Sequence, residues 1–174
     1  INKLQRLVND LLDLSKIQAG RLEYALDEVN LSDLMGLVIE NARHIYPLYE
    51  FDNQSQPGLR IQGNAERLEQ VLMNFINNAV KYSQNNKQII LKTVVKDKIV
   101  RISVTDFGIG LSEEQIDRIF ERFYRVEDKK FMTSGLGMGL FISTEIINNH
   151  QSKIMVQSEL GKGATFYFDL PLIP

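Results

Sequence analysis

A strand that runs into an acid and two glycines constrains this chain more than any other stretch. From Lys98 to Thr105, Ile99, Arg101, Ser103 and Thr105 alternate with Val100, Ile102 and Val104, the period of a strand packed on one face against a sheet or helix layer. The strand delivers Asp106-Phe107-Gly108-Ile109-Gly110 to its end. Gly108 and Gly110 permit positive φ and let backbone approach a ligand closely, and a carboxylate in a dry pocket accepts a hydrogen bond from an exocyclic amine, as a purine site requires. An Asp-x-Gly turn leaving a strand gives the same letters and, taken alone, is the commoner occurrence.

The 174 residues suit one full-sized domain with a small appendage. A net charge of −2 gives no general attraction to nucleic acid or to an acidic membrane surface, so an anionic ligand must be held locally. The absence of cysteine excludes disulfides, thiolate nucleophiles and thiolate zinc sites, and fits a reducing compartment. No apolar run is long enough to span a bilayer and no secretory signal is visible, so a cytoplasmic domain is expected, with membrane anchoring of a longer parent left open. The chain opens inside a helical pattern without an initiating Met and reads as a fragment.

Ile1 to about Gln18 carries a broad apolar stripe, in which Leu4, Leu7, Leu11 and Leu14 have the spacing of a bundle seam. A helix packed on its own domain and a helix paired with another subunit both fit this pattern. Ala19-Gly20 ends it. Leu22 to Leu31 alternates like a strand. Ser32 or Asn30 then caps a helix running to Ile45 or Tyr46, stopped by Pro47. Short strands are expected near Tyr49–Asn53 and Leu59–Gln62, a helix from about Asn64 to Tyr82, and a hairpin from Gln88–Val95 into Ile99–Thr105. A short helix capped by Ser112 follows, then an irregular stretch from Phe120 to Ser134, a helix from about Met138 to Asn149, and two last strands, Ile154–Ser158 and Thr165–Leu170. His44 is assigned no function, and His150 is expected to serve the end of the helix before it.

Within the Asn64–Tyr82 helix, Asn74, Asn78 and Lys81 fall at spacings of four and three and emerge on a common side. Carboxamide oxygens are hard ligands that suit Mg²⁺ beside water and phosphate oxygens, and Lys81 adds a point charge. A polar helix face would explain them too, although three asparagines (Asn74, Asn77 and Asn78) are poor helix formers to gather there. Gly135, Gly137 and Gly139 lead into the next helix, where free N–H donors and the positive dipole end favour a triphosphate.

Taken in order, Glu69 to Tyr82, Asp106 to Gly110, Phe120 to Arg125 and Ser134 to Leu140 resemble the N box, first glycine box, F box and second glycine box of the ATP-binding domain of sensor histidine kinases. The resemblance runs from about Leu22 to Pro171, and the opening residues look like the end of that family's helical dimerisation domain, which gives boundaries of 1–21 and 22–174. It implies an α/β two-layer sandwich: a mixed, mostly antiparallel sheet with three helices on one face. It also implies ATP with Mg²⁺ as cofactor. In the family the position of Asn78 holds the metal and that of Asn74 assists. Those of Lys81 and Tyr82 contact nucleotide, that of Arg125 contacts phosphate, and that of Thr165 lies near the adenine. Asp106, Gly108 and Gly110 with Gly135, Leu136, Gly137, Met138, Gly139 and Leu140 complete the nucleotide site, and Asn74, Lys81 and Arg125 are the positions implied in catalysis. Lys129 and Lys130 read as a solvated charge run.

The implied activity is transfer of the γ-phosphoryl group to a histidine on the dimerisation domain and then to a response-regulator aspartate, within a homodimer and without nucleic acid. Neither His44 nor His150 has the family's acceptor context, so the acceptor is expected upstream of Ile1. Hydrolytic relatives of the same fold carry a glutamate base where this chain has Asn74. A nucleotide-binding module without chemistry is the remaining alternative. Gln151-Ser152 stands where relatives usually have paired glycines, a departure that bears on a turn and on no ligand contact.

Overall fold

The computed structural model describes residues 3–20, 24–83, 85–124 and 137–174. Side chains with a free oxygen decide where most of its helices begin. Asn30 accepts from the backbone N–H of Ser32 at 2.9 Å and starts α2 (Leu31–Ile45), and Asn64 accepts from that of Arg67 at 3.0 Å and starts α3 (Ala65–Tyr82). Ser112 and Gln115 form a reciprocal capping box on the short α4 (Glu113–Arg118). Each such cap satisfies donors that a helix end otherwise leaves without partners. The remaining helices are α1 (Lys3–Gln18) and α5 (Gly139–Asn149).

The strands are β1 (Asp27–Asn30), β2 (Glu50–Gln54), β3 (Arg60–Gly63), β4 (Gln88–Lys96), β5 (Ile99–Asp106), β6 (Ile154–Glu159) and β7 (Gly163–Pro171). Five of them form a sheet in the order β2-β4-β5-β7-β6, with β2 parallel to β4 and every other pair antiparallel. β1 and β3 form a separate antiparallel pair. The expected mixed, mostly antiparallel sheet is therefore present, and α2, α3 and α5 cover one of its faces.

Strand alternation sorts the sheet. Ile89, Leu91, Ile102, Val104, Phe166 and Phe168 are buried beneath the helices, where Phe75 of α3 meets Phe166 and Phe168 with ring centroids 5.5 and 6.3 Å apart. Removing each such side chain from water is worth about 1.5–3 kcal/mol, which makes this face the main source of stability. On the opposite face Arg101 makes a two-pronged pair with Asp169 at 2.8 Å and lies 4.0 Å over the Tyr167 ring.

Two expectations change. The strand expected over Leu22–Leu31 is only Asp27–Asn30, because its partner β3 has four residues before Asn64 turns into the cap of α3, and Leu31 is already the buried first residue of α2. Tyr24 to Leu26 is irregular, and residues 21–23 lie outside the described set. The α1 stripe is also divided. Leu14 and Ile17 pack on the core of this chain while Val8, Leu11 and Leu12 remain exposed. Asp13, 6 % exposed, accepts from Arg67 Nη1 at 3.0 Å on both oxygens and from Gln70 Nε2 at 2.8 Å. These bonds fix α1 against the beginning of α3.

Candidate functional site

The site is built on α3 and α5, which run antiparallel: Asn64 at the start of α3 meets His150 at the end of α5, and Asn74 in mid-α3 meets Ser143 in α5. The C-terminal end of α3 and the N-terminal end of α5 thus share one end of the molecule with the glycine turn that leaves β5.

Asp106 is 6 % exposed. Burial pushes its carboxyl up to about 6, against the pull of backbone N–H donors from Gly108 (2.8 Å) and Ala164. A carboxylate so held has lone pairs left for a ligand donor and little water to compete with it. The turn beyond it is fixed by its neighbours. Ile109 N–H donates to Tyr82 O at 3.1 Å, which ties the turn to the end of α3, and Gly161 N–H donates to Ile109 O at 2.7 Å, which ties it to the β6–β7 turn. Gly110 has φ +66°, and a Cβ there would lie 2.0 Å from Glu159 O, so no other residue fits the approach of the two backbones. Ser158, which sequence reasoning missed, accepts from Leu111 N–H and donates to Gly163 O, closing the same corner.

On α3 the three predicted side chains have different settings. Asn74 is 8 % exposed, donates to Ser143 Oγ at 3.0 Å and turns its oxygen towards Gly139. Asn78, one turn on, is half-buried, and its side chain makes no hydrogen bond with the described residues. Lys81 holds its ammonium 4.6 Å from the Tyr82 ring centroid and forms no ion pair among them. Of the three residues expected on a common side, Asn74 is turned into the contact between the helices, while the Asn78 and Lys81 side chains are half-buried.

α5 begins at Gly139 rather than Met138, and no side chain caps it. Its first N–H groups are left as donors, the arrangement that suits an anion. The Met138 side chain is in the core and Leu140 packs against it, so these residues can offer a ligand their backbone. Phe123 N–H donates to Gly137 O at 3.1 Å and joins the F box to the second glycine box. Arg125, Gly135 and Leu136, together with Lys129 and Lys130, lie outside the described residues.

Thr165 departs from its expected place. Its hydroxyl is 2.9 Å from that of Thr105, its register partner, on the sheet face opposite the helices. The alternation that buries Phe166 and Phe168 puts it there. The neighbouring Ala164 donates its backbone N–H to Asp106.

The far ends of the two helices are closed. His150, 5 % exposed, contacts Ile146 O through Nδ1 at 2.8 Å and accepts from Asn64 N–H on Nε2 at 3.0 Å. Tyr24 OH donates to Ile146 O at 2.8 Å and stands 3.3 Å from His150 Nδ1. Burial holds the imidazole below its ordinary pKa, and the Ile146 carbonyl offsets part of that shift. His150 does serve the end of α5 and serves the start of α3 as well.

The donor set fits a metal that arrives with phosphate. Among the described residues there is no group of three or more His, Asp or Glu able to hold a cation, while the Asn78 side chain, one turn beyond Asn74 on α3, has a carboxamide oxygen without a hydrogen-bond partner among them. Mg²⁺ keeps several waters and accepts phosphate oxygens, so a sparse protein contribution suits it.

Residues 63–174 match the family described as histidine kinase-, DNA gyrase B-, and HSP90-like ATPase. The chain is 39% identical over 186 residues to drug sensory protein A of Synechocystis sp., covering 97% of this chain and 27% of that protein. It is 36% identical over 168 residues to the signal transduction histidine-protein kinase ArlS of Staphylococcus aureus, covering 95% of this chain and 37% of that protein. The chain thus spans well under half the length of these relatives. Full-length ShkA in complex with AMPPNP superposes with a TM-score of 0.81 at 31% identity, over 97% of this chain and 36% of that one. The catalytic domain of histidine kinase ThkA superposes with a TM-score of 0.73 at 26% identity, over 85% and 96%. With the family match spanning every element from the end of β3 onward, the chain belongs to the histidine kinase-, DNA gyrase B- and HSP90-like ATPases.

Proposed function

We propose that this chain is the ATP-binding catalytic domain of a sensor histidine kinase, with the end of the dimerisation helix attached as α1. It binds ATP with Mg²⁺ and donates the γ-phosphoryl group to a histidine of the dimerisation domain. Asp106 carries the reading: a buried carboxylate behind a glycine turn, positioned to accept from the 6-amino group of adenine. The named activity of ArlS and the nucleotide analogue in the ShkA complex support it.

The chain's own groups orient the reactants. Asp106 selects the base, the N–H groups that open α5 take phosphate oxygens, and Lys81 and Arg125 add positive charge there. Asn78 is the residue to hold Mg²⁺, which when bound neutralises charge on the phosphates. In the transfer, the bond from the γ-phosphorus to the bridging oxygen breaks and a bond to an imidazole nitrogen of the acceptor forms, ADP departs, and the imidazole gives up its proton. A response-regulator carboxylate then displaces the histidine. Positioning and charge stabilisation supply catalysis of this kind. The proposed setting is the cytoplasm, in a homodimer; among the described residues no helix is long and apolar enough to cross a membrane.

The hydrolytic alternative lacks its base. Position 74 carries a carboxamide, which cannot take a proton from water, and that group is buried and hydrogen-bonded to Ser143. Both ring nitrogens of His150 are engaged, which also fits a chain that does not phosphorylate itself.

The experiment is titration of AMPPNP into the chain with Mg²⁺ and with chelator, followed by labelled ATP with and without a separate dimerisation domain. Binding that prefers adenine to guanine, a loss for Asn78→Ala much larger with Mg²⁺ than with chelator, and label only on the added domain are expected. Acid-labile label on the chain alone, or no nucleotide binding, would overturn the reading.

A further inference from the structure

The contact between Asn74 and α5 is more than packing. Ser143 is almost wholly buried, in a stretch of α5 where Ile142, Ile146 and Ile147 are buried as well, and its hydroxyl accepts from Asn74 Nδ2 at 3.0 Å. A hydroxyl both donates and accepts, so the bond survives either orientation of the carboxamide. Gly139 is one turn before Ser143 on the same helix face, and a Cβ there would lie 2.3 Å from Asn74 Oδ1. The glycine at 139 is thus demanded by a side chain of α3, whatever occupies the cleft.

We propose that Asn74 and Ser143 form a positioning pair that fixes the first turn of α5, and with it the second glycine loop, against the helix that carries Asn78. A buried polar pair contributes less to stability than to the choice of one arrangement over others. If α5 slid along α3 by one turn, about 5.4 Å, both groups would be buried without partners, which leaves the observed register as the favoured one. Asn74 lies one turn from Asn78, so the pair sets the separation between the carboxamide proposed for Mg²⁺ and the N–H groups proposed for phosphate. Its amide nitrogen is committed to Ser143 and its oxygen is turned towards Gly139, which makes Asn74 a positioning residue in this proposal. This inference rests on the nucleotide-site reading above.

The test is a double-mutant cycle on the whole chain with Asn74→Ala, Ser143→Ala and both, with Ser143→Thr as the conservative control. Two quantities are measured: AMPPNP affinity with Mg²⁺ and with chelator, and amide hydrogen exchange of residues 142–144 without ligand. Loss of one neutral hydrogen bond predicts that each single variant weakens AMPPNP by about three- to tenfold, by the same factor with Mg²⁺ and with chelator. The double variant should be no worse than the weaker single, Ser143→Thr should restore affinity, and exchange in the first turns of α5 should quicken in both alanine variants. A loss confined to Mg²⁺ for Asn74→Ala with Ser143→Ala silent would make Asn74 a metal ligand and overturn the proposal, as would unchanged exchange. If the unaltered chain bound no AMPPNP, the nucleotide-site reading would fall while the exchange measurement still decided the pair.

Discussion

The same two helices end in opposite ways. At one end, where α3 starts and α5 stops, the buried polar groups have partners: Asn64 caps α3, His150 joins Asn64 N–H to the Ile146 carbonyl, and Asp13 takes three hydrogen bonds from Arg67 and Gln70. At the other end the Asn78 side chain has no hydrogen bond with the described residues, Lys81 has no ion pair among them, α5 begins without a side-chain cap, and Asp106 sits in a setting that penalises its charge. Placing satisfaction at one end and unmet capacity at the other lets a helix pair be held firmly while it still presents donors and charge to a ligand. Groups that hold the fold and groups left for a ligand are thus separated by position along one helix pair.

Truncating the closed end should have the largest effect. His150→Ala leaves the Asn64 N–H and the Ile146 carbonyl short of a partner in a buried place, and it should lower unfolding free energy in urea by about 2–4 kcal/mol. Nucleotide affinity measured well below the new midpoint should change little. Asp106→Asn should do the reverse. Affinity for ATP should fall by about 1.5–3 kcal/mol in calorimetry as a charge-assisted bond is lost, while stability near neutral pH is kept or raised because a penalised charge is gone. If one variant moved both quantities together, the separation of the two ends would fail.

Acid should sharpen the contrast, because the two groups titrate in opposite senses. The Asp106 pKa is raised from 3.8 to about 6 by burial, so its contribution to stability is fully present below about pH 4 and is lost as pH rises through about 6. The His150 pKa is lowered from 6.5, so its contribution is present above that value and is lost as pH falls below it. Between about pH 7 and pH 5, Asp106→Asn should therefore steepen the loss of stability on acidification and His150→Gln should flatten it. ATP affinity should weaken below about pH 6, with proton release on binding, since a protonated Asp106 cannot accept from the adenine amine as a carboxylate does.

The smallest effect is expected at the turn after α5. Gln151 holds φ +59°, a left-handed conformation that favours glycine, and Ser152 N–H closes the turn on Ile147 O at 3.1 Å. Gln151→Gly should raise stability by about 0.5–1 kcal/mol, the left-handed strain relieved less the added chain entropy, and leave binding untouched.

Much of this was legible because it is local. The cap Ser112, the choice of Asn30 or Ser32 as cap of α2, the start of α3 near Asn64 and the β4–β5 hairpin follow from letters a few positions apart. Thr165 could have been set right by the same local logic, since Phe166, Phe168 and Leu170 fix the phase of β7 and send Thr165 to the other face. What could not be read is contact across long separations. The Asn74–Ser143 bond joins residues 69 apart, and the Asn64–His150 bond joins residues 86 apart. Each leaves only a polar residue in an apolar stripe as a trace, and that trace names no partner. Asp13 is the same case: one acid in a helical stripe, whose partners Arg67 and Gln70 lie more than 50 positions on.

The order of strands in the sheet also imposes an order in time. β7 lies between β5 and β6, so the glycine turn after β5 waits for Gly163–Pro171 before it acquires the Ala164 N–H and the hairpin that backs it. At about 5–20 residues per second, the interval from making Asp106 to making Pro171 on the ribosome is roughly 3–13 seconds. Throughout that interval β5 presents an unpaired edge of alternating apolar residues, the kind of surface that captures other nascent chains. The backing of the turn after Asp106 is therefore complete only when the last strand of the chain has been made.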